Sequence, residues 1–187
     1  MPQPQDPAAI RRELRFPEGA AFRLLAASDA GGCLVVKVGV SAAPFPSERL
    51  FVRAFNEATY REVPWPSECN SFGDPVILAT KPEMYVLGEH WQHQGGGAEG
   101  LYRVTLPGGS IAMVHSGRGT HSAGTESEGG WWFADLLGST SDEKGLIVSL
   151  ATSFREPGGS RVEYTVAAFE LDTGRLRELA RLPALFA

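Results

Sequence analysis

The chain is poor in the residues that most chemistry requires. Of its 187 residues only two are cysteine and four histidine. Cys33 sits in an apolar run and Cys69 in a Ser/Asn-rich stretch, which forms neither a disulfide framework nor a paired metal spacing. No apolar run approaches the roughly 18 residues that a membrane helix needs. Lys and Arg number 17 against 22 Asp and Glu, a formal charge of −5, so the clustered cations that a phosphate backbone demands are missing. Neither nucleic acid nor a membrane is expected as a partner. A Gly-x-Ser-x-Gly elbow is absent as well: Ser122, Ser127, Ser139 and Ser141 lie in loop-like stretches. The carboxylates Glu126, Glu128, Asp135, Asp142 and Glu143 read as solubilising charges. Residues 1–7 (MPQPQDP) are polar and Pro-rich with no apolar segment behind them, which predicts a disordered leader rather than a signal peptide, and a cytoplasmic protein.

What the chain does have is recurrence. Residues 1–20 form the leader, with a helical turn or an outer strand at 10–16, and 21–187 are expected to be one all-β domain. Within it a strand, a turn, a second strand, a loop, a third strand, a turn and a closing strand recur three times, over about 22–64, 74–115 and 131–180. In the first unit 22–27 (FRLLAA) leads through Asp29-Ala30-Gly31-Gly32 to 33–40 (CLVVKVGV), apolar enough to be buried on both faces. Strands at 49–55 and 59–63 complete it. The second unit places strands at 75–80, 84–91, 101–106 and 110–115, with a Gly-rich loop at 94–99. Val35 then corresponds to Val86, an offset within the range of four-stranded repeats. The third places strands at 131–137, 145–154, 161–171 and 175–180, with a bulge expected where alternation slips at Ala167-Ala168. Asp172-Thr173-Gly174 is its strongest turn signal.

The run 166–179 (VAAFELDTGRLREL) resembles the third strand, turn and fourth strand of a β-propeller blade, as in TolB-like and WD40-like bacterial propellers, and 101–114 is similar. The resemblance implies a half-propeller of three four-stranded antiparallel blades; the alternative is a β-sandwich or irregular barrel. The chain has no Trp-Asp dipeptide and no Gly-His opening, so no functional residue is carried over. Three blades cannot close a ring, and the two apolar flanks they would leave imply cover, most simply from a second copy. A monomer completed by 10–16 and 182–187 is the other possibility.

Candidate ligand or partner contacts are Trp91, Arg118, Trp131 and Trp132. Trp131 and Trp132 are adjacent, so on a strand they face opposite sides, one toward a neighbouring sheet and the other toward a partner, ligand or loop. Arg118 lies in Gly117-Arg118-Gly119-Thr120, where a nest of backbone N–H groups could hold an anion, inside the long loop-like stretch 116–130. No catalytic residue is assigned and no cofactor is implied. The expectation is a non-enzymatic binding or assembly module, homodimeric, taking a protein or small-molecule ligand. The alternative is a metal-dependent hydrolase or lyase with zinc held by some of His90, His93, His115 and His121, since neutral imidazole is a common zinc ligand.

Overall fold

The structure, a computed structural model, describes residues 21–40, 47–67, 69, 71–92, 95–116, 118–120, 130–156 and 159–182. The reading of 10–16 lies outside them, as does that of 183–187. The described residues are all-β: strands arranged in three antiparallel sheets, each built from consecutive pieces of chain. Sheet 1 holds β1 (Ala21–Ser28), β2 (Cys33–Val40), β3 (Ser47–Ala54) and β4 (Arg61–Glu62) in that order. Sheet 2 holds β5 (Ser71–Phe72) and β6 (Val76–Ile77), both paired with β7 (Glu83–Gln92), followed by β8 (Gly95–Thr105) and β9 (Ser110–Ser116). Sheet 3 runs β10 (Arg118–Thr120), β11 (Gly130–Ser139), β12 (Gly145–Glu156), β13 (Gly159–Glu170) and β14 (Leu176–Arg181).

The turns follow their chemistry. Gly32, Gly109 and Gly174 each adopt a positive φ, and the last closes the β13–β14 hairpin, where its N–H donates to the Glu170 carbonyl at 2.8 Å. The strand expected at 75–80 is only two residues long, β6, and β5 precedes it at 71–72 where no strand was expected. Pro75 lacks the N–H that a continuous ladder would use, so β5 and β6 meet β7 on either side of Gly73-Asp74-Pro75. The loop expected at 94–99 is also corrected: β8 begins at Gly95, and its glycines pair with Trp91, His90 and Gln92 of the long β7. The anticipated bulge lies at the right level but in the neighbouring strand. β13 pairs with β12 without interruption, whereas Leu179 of β14 is left without a counterpart between Val166 and Ala167.

Two apolar cores separate the three sheets. Cys33, Val35, Leu50 and Val52 of sheet 1 meet Phe72, Met84, Val86, Tyr102 and Val104 of sheet 2. On the other side of sheet 2, Tyr85, Leu87 and Leu101 meet Phe133, Leu136, Leu146, Val148, Leu150, Ala167 and Phe169 of sheet 3. The centre of sheet 2 is thus buried on both faces, which is why Met84–Leu87 of β7 read as an apolar run without alternation.

A carboxylate clasp crosses each junction. Glu48 of β3 accepts from the Ser71 hydroxyl (2.9 Å) and the Phe72 N–H (3.1 Å), while Lys37 pairs with Glu48 at 3.0 Å and donates to the Phe72 carbonyl at 2.6 Å. At the second junction Glu143, buried in the β11–β12 turn at φ 52°, accepts from the N–H groups of Ala79 (2.5 Å) and Thr80 and from the Thr80 hydroxyl. The Thr80 hydroxyl, then the two N–H groups and the nearby Lys81 charge, hold its carboxyl below the usual glutamate range against the opposing effect of burial.

Candidate functional site

The two outermost sheet faces differ. Facing away from sheet 2, sheet 1 carries Leu34, Val36, Val38 and Phe51, none more than 8 % exposed, so this flank is already covered within the single chain. The expectation of two open flanks therefore fails on this side. The opposite flank, on sheet 3, is different: Trp132, Ile147, Val162, Tyr164 and Val166 are only partly buried and belong to neither core.

The register orders this flank in rows across the strands. Trp132 of β11, Ala151 of β12 and Tyr164 of β13 form one row. Asp135, Ser149, Val166 and Ala180 form the next, and Gly138, Ile147, Ala168 and Arg177 the third. The middle of β12 contributes only small side chains, Ser149, Ala151 and Ser153, whereas β13 contributes Val166, Tyr164 and Val162 beside them. Small side chains along the middle of β12 thus lie beside larger ones along β13. Ala151, between the Trp132 and Tyr164 positions, is fully buried and is not open to a partner.

Adjacent Trp131 and Trp132 lie on the two faces of β11. Trp131 packs against the core between sheets 2 and 3, with Phe133 edge-on at 5.5 Å and the His115 ring at 5.8 Å. His115 also meets Phe133 and Phe169 edge-on, at 5.6 and 5.4 Å, and its Nδ1 contacts the Ser116 carbonyl at 2.5 Å. This histidine is a wall of an aromatic cluster. Trp132 lies on the outer flank.

The nest expected at residues 117–120 is corrected. Arg118–Thr120 are extended as β10 and pair with Trp132, Trp131 and Gly130, so this backbone is engaged in a ladder and does not curl around an anion. The pairing brings Arg118 and Trp132 opposite one another across 13 intervening residues. Trp91 and His90 lie in β7 opposite Gly96 and Gly97, while His93 and His121 fall outside the described residues. Among the described residues no three His, Cys, Asp or Glu side chains are grouped to hold a metal ion.

A cleft of about 400 Å3 with a mixed polar and apolar lining lies at one end of sheet 3, lined by the β11–β12 turn, the β13–β14 turn and Arg177. Two of its carboxylates serve the turns themselves. Asp142 accepts from the Thr140 hydroxyl (2.7 Å) and the Lys144 N–H (3.1 Å), bonds that lower its carboxyl below the usual range in that order of weight. Glu170 accepts from the Thr173 hydroxyl at 2.7 Å. Elsewhere, burial pushes the Cys33 thiol up to about 11, which leaves it protonated and inert. Burial, and then the hydrogen bond to Glu83, raises the Tyr85 hydroxyl above its ordinary range.

Of the residues on this outer flank, Trp132 was singled out from the sequence through the adjacent tryptophan pair. Tyr164, Val162 and Val166, which the alternation along β13 places on the same flank, were not singled out. No helix among the described residues is long and apolar enough to cross a membrane. Comparison with known protein families, curated proteins and solved structures finds no match to the chain.

Proposed function

We propose that the chain is a non-enzymatic assembly and binding module, a propeller-like stack of blades that works as a homodimer. The observation that carries this reading is the asymmetry of the two outer flanks. The flank of sheet 1 is buried within the chain, while that of sheet 3 leaves a tryptophan, a tyrosine and three aliphatic side chains partly open to water. Tyrosine and tryptophan at the centre of an apolar face, with polar residues at its margin, are the composition of a partner-binding surface.

The titration pattern fits the same reading. Among the described residues, the shifted Asp142, Glu143, Cys33 and Tyr85 are held in a turn, in a clasp between sheets or in a core, and Arg181 is shifted by its surface pairing with Glu178. Work in the reducing cytoplasm fits the two free thiols, Cys33 and Cys69. The test is mass in solution by light scattering from about 1 to 100 μM, a span that brackets the micromolar affinity of a modest interface. A dimer mass is expected. A monomer throughout that range, with no binding of an apolar dye, refutes the proposal.

A further inference from the structure

We infer that the cleft at the end of sheet 3 binds a small dipolar ligand, a free amino acid whose carboxylate is taken by Arg177 and whose ammonium is taken by Asp172. The site goes beyond the assembly reading above and does not rest on it, because every residue that lines the cleft belongs to one chain. A volume of about 400 Å3 falls within the ~300–1,000 Å3 range of small-molecule sites. It leaves room for a side chain beside the two charged groups of such a ligand.

The walls are fixed by their own hydrogen bonds. In the β11–β12 turn the Thr140 N–H donates to the Gly145 carbonyl at 2.9 Å, and the Gly145 N–H donates to the Thr140 hydroxyl at 3.0 Å. Glu143 of the same turn is clasped by the N–H groups of Ala79 and Thr80, which ties this wall to the chain of sheet 2. In the opposite wall the Gly174 N–H donates to the Glu170 carbonyl at 2.8 Å, and the Arg175 N–H to the Thr173 hydroxyl at 3.2 Å. The Leu171 N–H donates to the Lys144 carbonyl at 3.0 Å and stitches the two turns together. A cleft with walls held in this way loses little conformational entropy on binding.

What the turns do not use is one charge of each sign. Asp142 accepts from the Thr140 hydroxyl and the Lys144 N–H, and Glu170 accepts from the Thr173 hydroxyl. Arg177 and Asp172, by contrast, form no hydrogen bond or ion pair with another described residue. Arg177 shares the row of Ala168 on β14, while Asp172 stands in the β13–β14 turn, one residue beyond the Leu171 that bonds Lys144. The planar guanidinium fork matches a carboxylate bidentately, and a free carboxylate matches an ammonium. The cations Lys144 and Arg177 face the anions Asp142, Glu170 and Asp172 across the lining, a near balance that suits a ligand with both signs better than a plain anion or a plain cation. The three carboxylates are not grouped to hold a metal ion.

The test is titration of the isotope-labelled full chain with L-alanine, L-serine, L-glutamine and L-leucine, followed by amide chemical shifts. At least one of the four is expected to shift the amides of the two turns with a dissociation constant below about 10 mM. Its N-acetyl form and its methyl ester each lack one charge and are expected to bind about 10-fold more weakly or worse. Arg177→Ala and Asp172→Asn should each have the same effect. Neither side chain is bonded to another described residue, so amides away from the cleft should keep their positions in both variants. No shift in either turn up to about 50 mM of all four amino acids overturns the site. Equal binding of the N-acetyl form, or full binding by Asp172→Asn, reduces it to a plain carboxylate contact and overturns the dipolar ligand. Binding by a chain that stays monomeric upholds this inference and refutes only the homodimer.

Discussion

Gly88→Ala is the most revealing single change, because two opposing effects of known size meet there. Gly88 of β7 faces the core between sheets 1 and 2, opposite Gly100 of β8, and the ring of Tyr102 lies over both glycines. A Cβ at Gly88 would stand 2.6 Å from Tyr102 Cε2 and 2.7 Å from Cys69 Sγ, closer than real side-chain carbons approach. The ring cannot simply swing away. It is 2 % exposed and meets the Trp65 indole edge-on at 5.8 Å. Over-packing of this kind costs about 1–3 kcal/mol. Against it, alanine in a strand interior is favoured over glycine by roughly 0.5–1 kcal/mol. A net loss of about 0.5–2 kcal/mol is therefore expected, measured by urea denaturation followed by far-ultraviolet circular dichroism. In a Tyr102→Val, Cys69→Ala background both close contacts are gone, only the backbone term remains, and Gly88→Ala should stabilise. The coupling energy of the double-mutant cycle should then be about 1–3 kcal/mol. A cost that is the same in both backgrounds, or a gain in the native one, refutes the close-approach argument.

Other outcomes follow from the same reasoning. Phe133→Ala, which removes a ring packed edge-on against Trp131, His115 and Phe169, should destabilise by about 3–5 kcal/mol, seen as a lowered thermal midpoint. Gly174→Ala forces a methyl-bearing residue to φ 68° and should cost about 1–2 kcal/mol by the same assay, with Gly174→Asn milder. Glu143 has a depressed folded-state pKa, so its contribution is fully present above the ordinary glutamate value of 4.5 and disappears as pH falls through the lower folded value. Glu143→Gln should accordingly be less stable than the native chain at neutral pH, and the gap in urea midpoint should close only as the solution is acidified below that range.

The fold was legible in the sequence wherever the signal is local. The strand at 33–40 and the turns ending in Gly32, Gly109 and Gly174 depend on β-branched runs and on left-handed backbone positions that glycine accepts at no steric cost. The opposed faces of Trp131 and Trp132 follow from the two-residue repeat of any strand. Less was legible around Pro75, where the expected strand shrinks to β6 and an unexpected β5 precedes it, and at Gly95, where a glycine run joins a ladder because the long β7 supplies a partner. The pairing of Arg118 with Trp132 was hidden too, since nothing in 118–120 by itself distinguishes a short edge strand from a loop.

Facing is where local information ends. Aligning Val35 with Val86 was reasonable on hydropathy, yet both side chains point into the core between sheets 1 and 2 and thus face each other. A rotational repeat would need them to face the same way around, which requires an even offset where the alignment has an odd one. The sequence has no means of signalling this. Met84, Tyr85, Val86 and Leu87 are all buried, so the alternation that normally reports which side is inward is absent from β7. By itself, then, the amino-acid sequence determined that the chain is all-β, where most of its strands and turns fall, and which residues are apolar enough to need cover. The tertiary structure alone decided which faces meet, that the flank of sheet 1 is covered and that of sheet 3 is not, and that small residues of β12 lie beside large ones of β13. Those outcomes depend on cross-strand register and sheet stacking, which join residues far apart in the chain and leave no mark on any short stretch of it.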